Sequence, residues 1–174
     1  MKSIESFTHK ELVDLLNKCW MSHDSMWFFQ CLQEFGIETA NRINKASIQS
    51  LSAIEIKRIK SALGINDRPI KNFEEFKDFF MPASHLVIPD FMNVTWDFPG
   101  DNILKWEFDE GNCFAFKGIS RLGVIDTYEC GVIFRVQCWL DELGIGYKVN
   151  PEVERCLMLS NGKCSGSIQL DFNK

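Results

Sequence analysis

Three short stretches hold residue types able to do chemistry. In "WMSHDSMWFF", residues 20–29, His23 and Asp24 stand side by side within aromatic surface. An imidazole is the usual base near neutral pH, and a carboxylate among apolar side chains must be paired, hydrogen-bonded or protonated. In "GVIDTYECGV", residues 123–132, Cys130 stands where a helix begins. With Thr127 as the cap, the free N–H groups of the first turn and the helix dipole favour a thiolate there, while the adjacent Glu129 opposes it. Asp126 and Tyr128 flank it and offer a general acid or substrate hydrogen bonds. In "CLMLSNGKC", Cys156 and Cys164 sit on either side of an Asn-Gly turn. Seven intervening residues is not a structural-zinc spacing, yet a hairpin could bring the two sulfurs together, with His23 or His85 and a further Cys completing a soft site.

Each motif has a plainer reading. Ser22 or Asp24 caps a second helix if the first one breaks there. His23 lies beside Trp27 in partial exposure, and Cys130 is a small buried hydrophobe. Neither a serine nucleophile elbow nor a phosphate-cradling glycine loop occurs.

The elements that would position these residues follow from periodicity. Thr8 and Glu11 form a T-x-x-E capping box, and apolar residues at helical spacing run on, with no Gly or Pro before Gly36. This predicts one long helix over about 8–35, with a break near Ser22 as the alternative, and places Asp24 on its apolar stripe. More helix follows from Ile37, then a second box, Ser52 with Glu55, before a stop at Gly64. Asn72 with Glu75 opens a short helix at "FEEFKDFF". Pro82 and Pro89 bracket a connector, after which the period falls to 2. Strands are expected at "NVTWDF", "ILKWEF", "CFAFKGI", "GYKVN", "RCLMLS" and "GSIQLDF", and "ECGVIFRVQCWLDELG" returns to helical spacing. The class is therefore α+β: a helical half (1–81), a connector (82–92) and an antiparallel β-sheet half (93–174) carrying one amphipathic helix at 129–143, folded as one compact domain.

Composition narrows the function classes. Of 174 residues, 45% are hydrophobic and 13% aromatic, which suits a packed globular chain. The net charge is −5, with 11 basic and 12 acidic side chains in residues 1–90 and 8 and 12 in the remainder. No basic cluster beyond Lys57, Arg58 and Lys60 exists to track a polyanion, so nucleic acid is not an expected partner. No apolar run approaches a membrane span and "MKSIESFTHKE" lacks a signal-peptide core, so the chain is expected to be cytoplasmic, with no membrane partner. Seven cysteines, an odd number, fit free thiols in a reducing compartment better than a disulfide framework.

The stretches "HDSMWFFQCLQEFGIETANRIN", "IEIKRIKSALGI" and "RLGVIDTYECGVIFRVQCWLDELGIGYKV" resemble bacterial cytosolic proteins grouped with L-2-amino-thiazoline-4-carboxylic acid hydrolase. The final strands, with Cys156 and Cys164, resemble the end of 4-vinyl reductase small-molecule-binding domains, in which paired cysteines are a suspected metal feature. Either resemblance implies a small-molecule ligand held between helices and sheet. The leading expectation is a hydrolase of C–N bonds acting on a small polar heterocycle or amide. Cys130 or a water attacks, His23 is the base, Asp24 orients it, Trp27, Asp126 and Tyr128 contact substrate, and Arg121 binds a carboxylate. Two alternatives stay open: a non-catalytic small-molecule or metal sensor holding zinc or iron through Cys156 and Cys164, and an interaction module using the Trp and Phe surface. A homodimer is among the possible oligomeric states.

Overall fold

The computed structural model describes residues 3–173 and has the α+β architecture expected of the sequence, helices first and sheet after. Helix α1 (His9–Ala62) opens at Thr8, whose side chain and Glu11 complete the reciprocal capping box. It bends at Gly36, where φ is 77° and ψ is 172°, a combination that essentially only glycine adopts. The result is two arms, 9–35 and 37–62. Helix α2 (Phe73–Val87) is capped by Asn72, whose side chain accepts from the Glu75 N–H. The connector expected from residue 82 therefore begins later. Pro82 lies inside α2, because Phe79, Phe80, Ala83 and Ser84 keep one buried helical face across it.

Strands β1 (Val94–Gly100) and β2 (Ile103–Phe108) form a hairpin. Helix α3 (Phe114–Arg121) and helix α4 (Gly131–Glu142) follow, then β3 (Gly146–Asn150), a short helix α5 (Leu157–Asn161) and β4 (Ser165–Asp171). The sheet is antiparallel throughout, in the order β1-β2-β4-β3. At its centre Trp106 stands opposite Gly166, where an added Cβ would lie 2.4 Å from the indole.

Two expected strands are helices. In "CFAFKGI" the neighbours Ala115 and Phe116 both pack against the core and line the same cavity, which alternation along a strand forbids, and Ile119 is buried one turn on. In "RCLMLS" the neighbours Leu157 and Met158 are both buried, which alternation along a strand forbids, and Gly162 closes the turn at φ 73°.

The main core joins Phe76, Phe79 and Phe80 of α2 to Ile133, Trp139 and Leu140 of α4 and to Leu104, Trp106, Ile168 and Leu170 of the sheet. Helix α4 crosses the second arm of α1 closely at Gly131, whose Cβ would lie 2.9 Å from Asn44 and Ile48 side-chain atoms. The expected capping box at Ser52 does not form, because the helix continues and Glu55 is drawn elsewhere. The buried Glu55 carboxylate forms a two-pronged ion pair with Arg135 and accepts from the Trp139 indole N–H at 2.7 Å. No helix among the described residues is long and apolar enough to cross a membrane.

Candidate functional site

The expected catalytic group does not assemble around the first arm. His23 and Asp24 are mid-helix and exposed, and His23 Nε2 accepts from the Trp27 indole at 3.2 Å. Trp27 is itself 64% exposed. The arm has two apolar faces, and the one turned to the body carries Asn17, Met21 and Phe28; Asp24 falls at the edge of that face, one turn from Phe28, yet its side chain is exposed. Asp24 is thus withdrawn as a buried site carboxylate. Arg121, in the last turn of α3, and Asp126 are likewise exposed.

Cys130 occupies a different setting from the one its sequence suggests. It is itself the N-cap of α4, and Thr127 instead donates its hydroxyl to the Val124 carbonyl. Its N–H bonds the Glu154 carbonyl at 3.0 Å. The N–H groups of Val132 and Ile133 approach its sulfur and favour the thiolate, but burial outweighs them and pushes the thiol up to about 11. At neutral pH Cys130 is a protonated thiol, not an activated nucleophile.

That thiol faces a small internal cavity of about 10 Å³, just enough for one water-sized sphere. Four cysteines line it: Cys113, Cys130, Cys156 and Cys164. Met158 adds a thioether, which receives the Gly111 N–H at 3.4 Å, and Tyr128 adds a buried hydroxyl that accepts from the Gly131 N–H at 3.1 Å. The fold gathers them by a repeated device. Cys113, Cys130 and Cys156 are the N-caps of α3, α4 and α5, and Cys164 leads into β4. The Glu129–Arg155 bridge and the Cys130–Glu154 bond hold the starts of α4 and α5 together. Asn41 fixes the preceding turn by donating to the Thr127 carbonyl and accepting from the Glu129 N–H.

Burial keeps the sulfurs protonated. It raises the Cys113 thiol and pushes Cys164 up to about 12, and each charged thiol would further disfavour its neighbours. Acting against burial are N–H groups aimed at sulfur, from Ala115 and Phe116 to Cys113 and from Val132 and Ile133 to Cys130. The Trp106 indole N–H is fully buried and finds no partner at full hydrogen-bond geometry, yet it lies near enough to Cys164 to favour the thiolate there. Among the described residues no three His, Cys, Asp or Glu side chains are already grouped to hold a metal ion, so closure on one requires these sulfurs to draw inward across the cavity.

Sequence reasoning named Cys130, Tyr128, Cys156 and Cys164 separately and missed Cys113, Met158 and Trp106. A signal was present: "NCF", "ECG" and "RCL" each place a cysteine between a polar residue and the start of a helix. A larger cavity, about 300 Å³ between Leu63, Ile70, Phe79 and Pro82, lies apart from the thiols, with the Arg68–Glu75 ion pair and Asp78 at its wall.

Residues 5–84 match the model of a family of unknown function (DUF6125), a span that includes α1, most of α2 and the walls of the larger cavity but none of the residues around the thiols. No curated protein and no solved structure matches the chain.

Proposed function

We propose that this protein is a non-catalytic sensor that takes up a soft metal ion, zinc(II) or copper(I), in the cavity between α3, α4 and α5. The observation that carries this reading is the convergence of four thiols on one small cavity, three of whose sulfurs are met by N–H donors. Thiolates and thioethers are the ligands that select these ions, and four thiolates around one ion suit a closed tetrahedral site. The donors to Cys113, Cys130 and Cys164 would stabilise the negative charge of a metal-thiolate centre, as outer hydrogen bonds commonly do.

The hydrolytic reading has weaker geometric support. It needs a thiolate at Cys130 with His23 as base, whereas the thiol is buried and protonated and His23 is in solvent. The absence of a large cavity at Cys130 also favours a guest the size of an ion over a heterocycle.

Because the thiols are protonated in the free protein, uptake must expel a proton for each sulfur that binds, so affinity rises with pH. The test is titration of the reduced protein with cobalt(II) as a spectroscopic stand-in for zinc, followed by zinc competition. One equivalent per chain, with the sulfur-to-cobalt charge-transfer band lost in Cys156→Ser and Cys164→Ser, is the expected result. Absence of that band in the folded native protein, together with no copper(I) uptake, would overturn the proposal.

A further inference from the structure

We infer that the first arm of α1 is the interface of a homodimer, two copies pairing antiparallel through the face turned away from the body. Leu15, Leu16, Met26 and Trp27 are exposed by 49, 68, 58 and 64%, and Trp20 borders them with its ring under the Arg135 guanidinium of α4. Their spacing puts these four within about one third of the helix circumference, at 100° per residue, with Cys19 and His23 between them and the face that carries Phe28 opposite. Together they offer on the order of 500 Å² of apolar surface per chain, comparable to the largest patch of an ordinary monomer. With flanking side chains along an arm about 40 Å long, the contact approaches the ~800 Å² per partner of a stable interface.

The stripe is complementary to itself in one direction only. A two-fold axis near the middle of the arm, beside Met21 and Ser22, lays Leu15 and Leu16 of one copy against Met26 and Trp27 of the other. The same axis brings His9, at one end of the stripe, beside the partner's Glu34 at the other, so that an imidazole meets a carboxylate twice. A parallel pairing would instead set Glu34 against Glu34 and His9 against His9, which like charge disfavours. Such a closed two-fold contact is the commonest form of soluble oligomer.

The register is testable with the native thiol. Cys19 is exposed within the stripe, between Met26 and Leu16 in angle, and the antiparallel pairing places the partner's Met26 within one turn of it. Within one chain residues 19 and 26 are about 10 Å apart along the helix, too far for a disulfide. In multi-angle light scattering the native protein should have the mass of a dimer, and Leu16→Glu with Trp27→Glu should halve it while far-UV circular dichroism stays unchanged. Leu159→Glu, at an exposed apolar residue elsewhere, should remain dimeric. Mild oxidation of Met26→Cys should give a covalent dimer that Cys19→Ser abolishes, whereas the native chain should not cross-link through Cys19. A monomer up to millimolar concentration, a dimer that survives the double substitution, or cross-linking of the native chain through Cys19 would each overturn the inference. The same holds for a monomer whose stripe binds lipid vesicles instead.

Discussion

Among the thiols, Cys130 is expected to be slow and Cys19 fast, the reverse of what a cysteine at a helix start suggests. The perturbation is alkylation of the native protein with iodoacetamide near neutral pH. Only the thiolate reacts, and moving a thiol from the ordinary ~8.5 to about 11 lowers its thiolate fraction at pH 7 about 300-fold. The side chain is also only 8% exposed, so the reagent enters when the cavity opens, and every 1.4 kcal/mol of opening free energy slows the reaction by about a further tenfold. Cys19 is exposed in the single chain and is compared in the monomeric Leu16→Glu, Trp27→Glu variant, where no partner covers it. The modified residues are located by mass spectrometry over time and pH. The Cys130 rate should climb about tenfold per pH unit up to pH about 11 while the fold holds. If Cys130 reacts as fast as Cys19 in that monomeric variant, or its rate levels off near neutral pH, the site is pre-ionised and the nucleophile reading returns.

Three further outcomes follow from the packing. Glu55→Ala, which strands the Trp139 indole and removes the partner of Arg135 between α1 and α4, should cost about 3 kcal/mol in urea unfolding. Gly166→Ala should cost about 3 kcal/mol or more and shift Trp fluorescence, because the new methyl meets the Trp106 ring at 2.4 Å and the Asn150 carbonyl at 2.7 Å. Stability should be level below pH about 8.5 and then fall by about 1.4 kcal/mol per pH unit for each buried thiol between there and about 11, since the unfolded chain gives up the protons of Cys130 and Cys164 while the folded chain keeps them; Cys130→Ser should shallow that slope in urea midpoints taken across the range.

The sequence alone determined the class, because local signals agree with the global fold over most elements. The Thr8–Glu11 box, the stop at Gly36, the Asn72 cap and the period-2 runs at 94–100, 103–108, 146–150 and 165–171 are each local, and all appear in the structure. Short apolar runs such as 113–119 and 155–160 were ambiguous, since a few residues fit both periods and the neighbouring core chooses. The candidate site was less legible still. Two apolar faces on the first arm look alike in sequence, and only packing shows that the one bearing Phe28 meets the body while Trp27 and His23 face out. The gathering of Cys113, Cys130, Cys156 and Cys164 depends on where three helices start relative to one another, with sequence separations of 17, 26 and 8 residues that no motif links. A cysteine's charge state likewise belongs to the assembled cavity: the helix start that favours a thiolate is written locally, but the burial that defeats it is supplied by residues from the sheet and from α3 to α5.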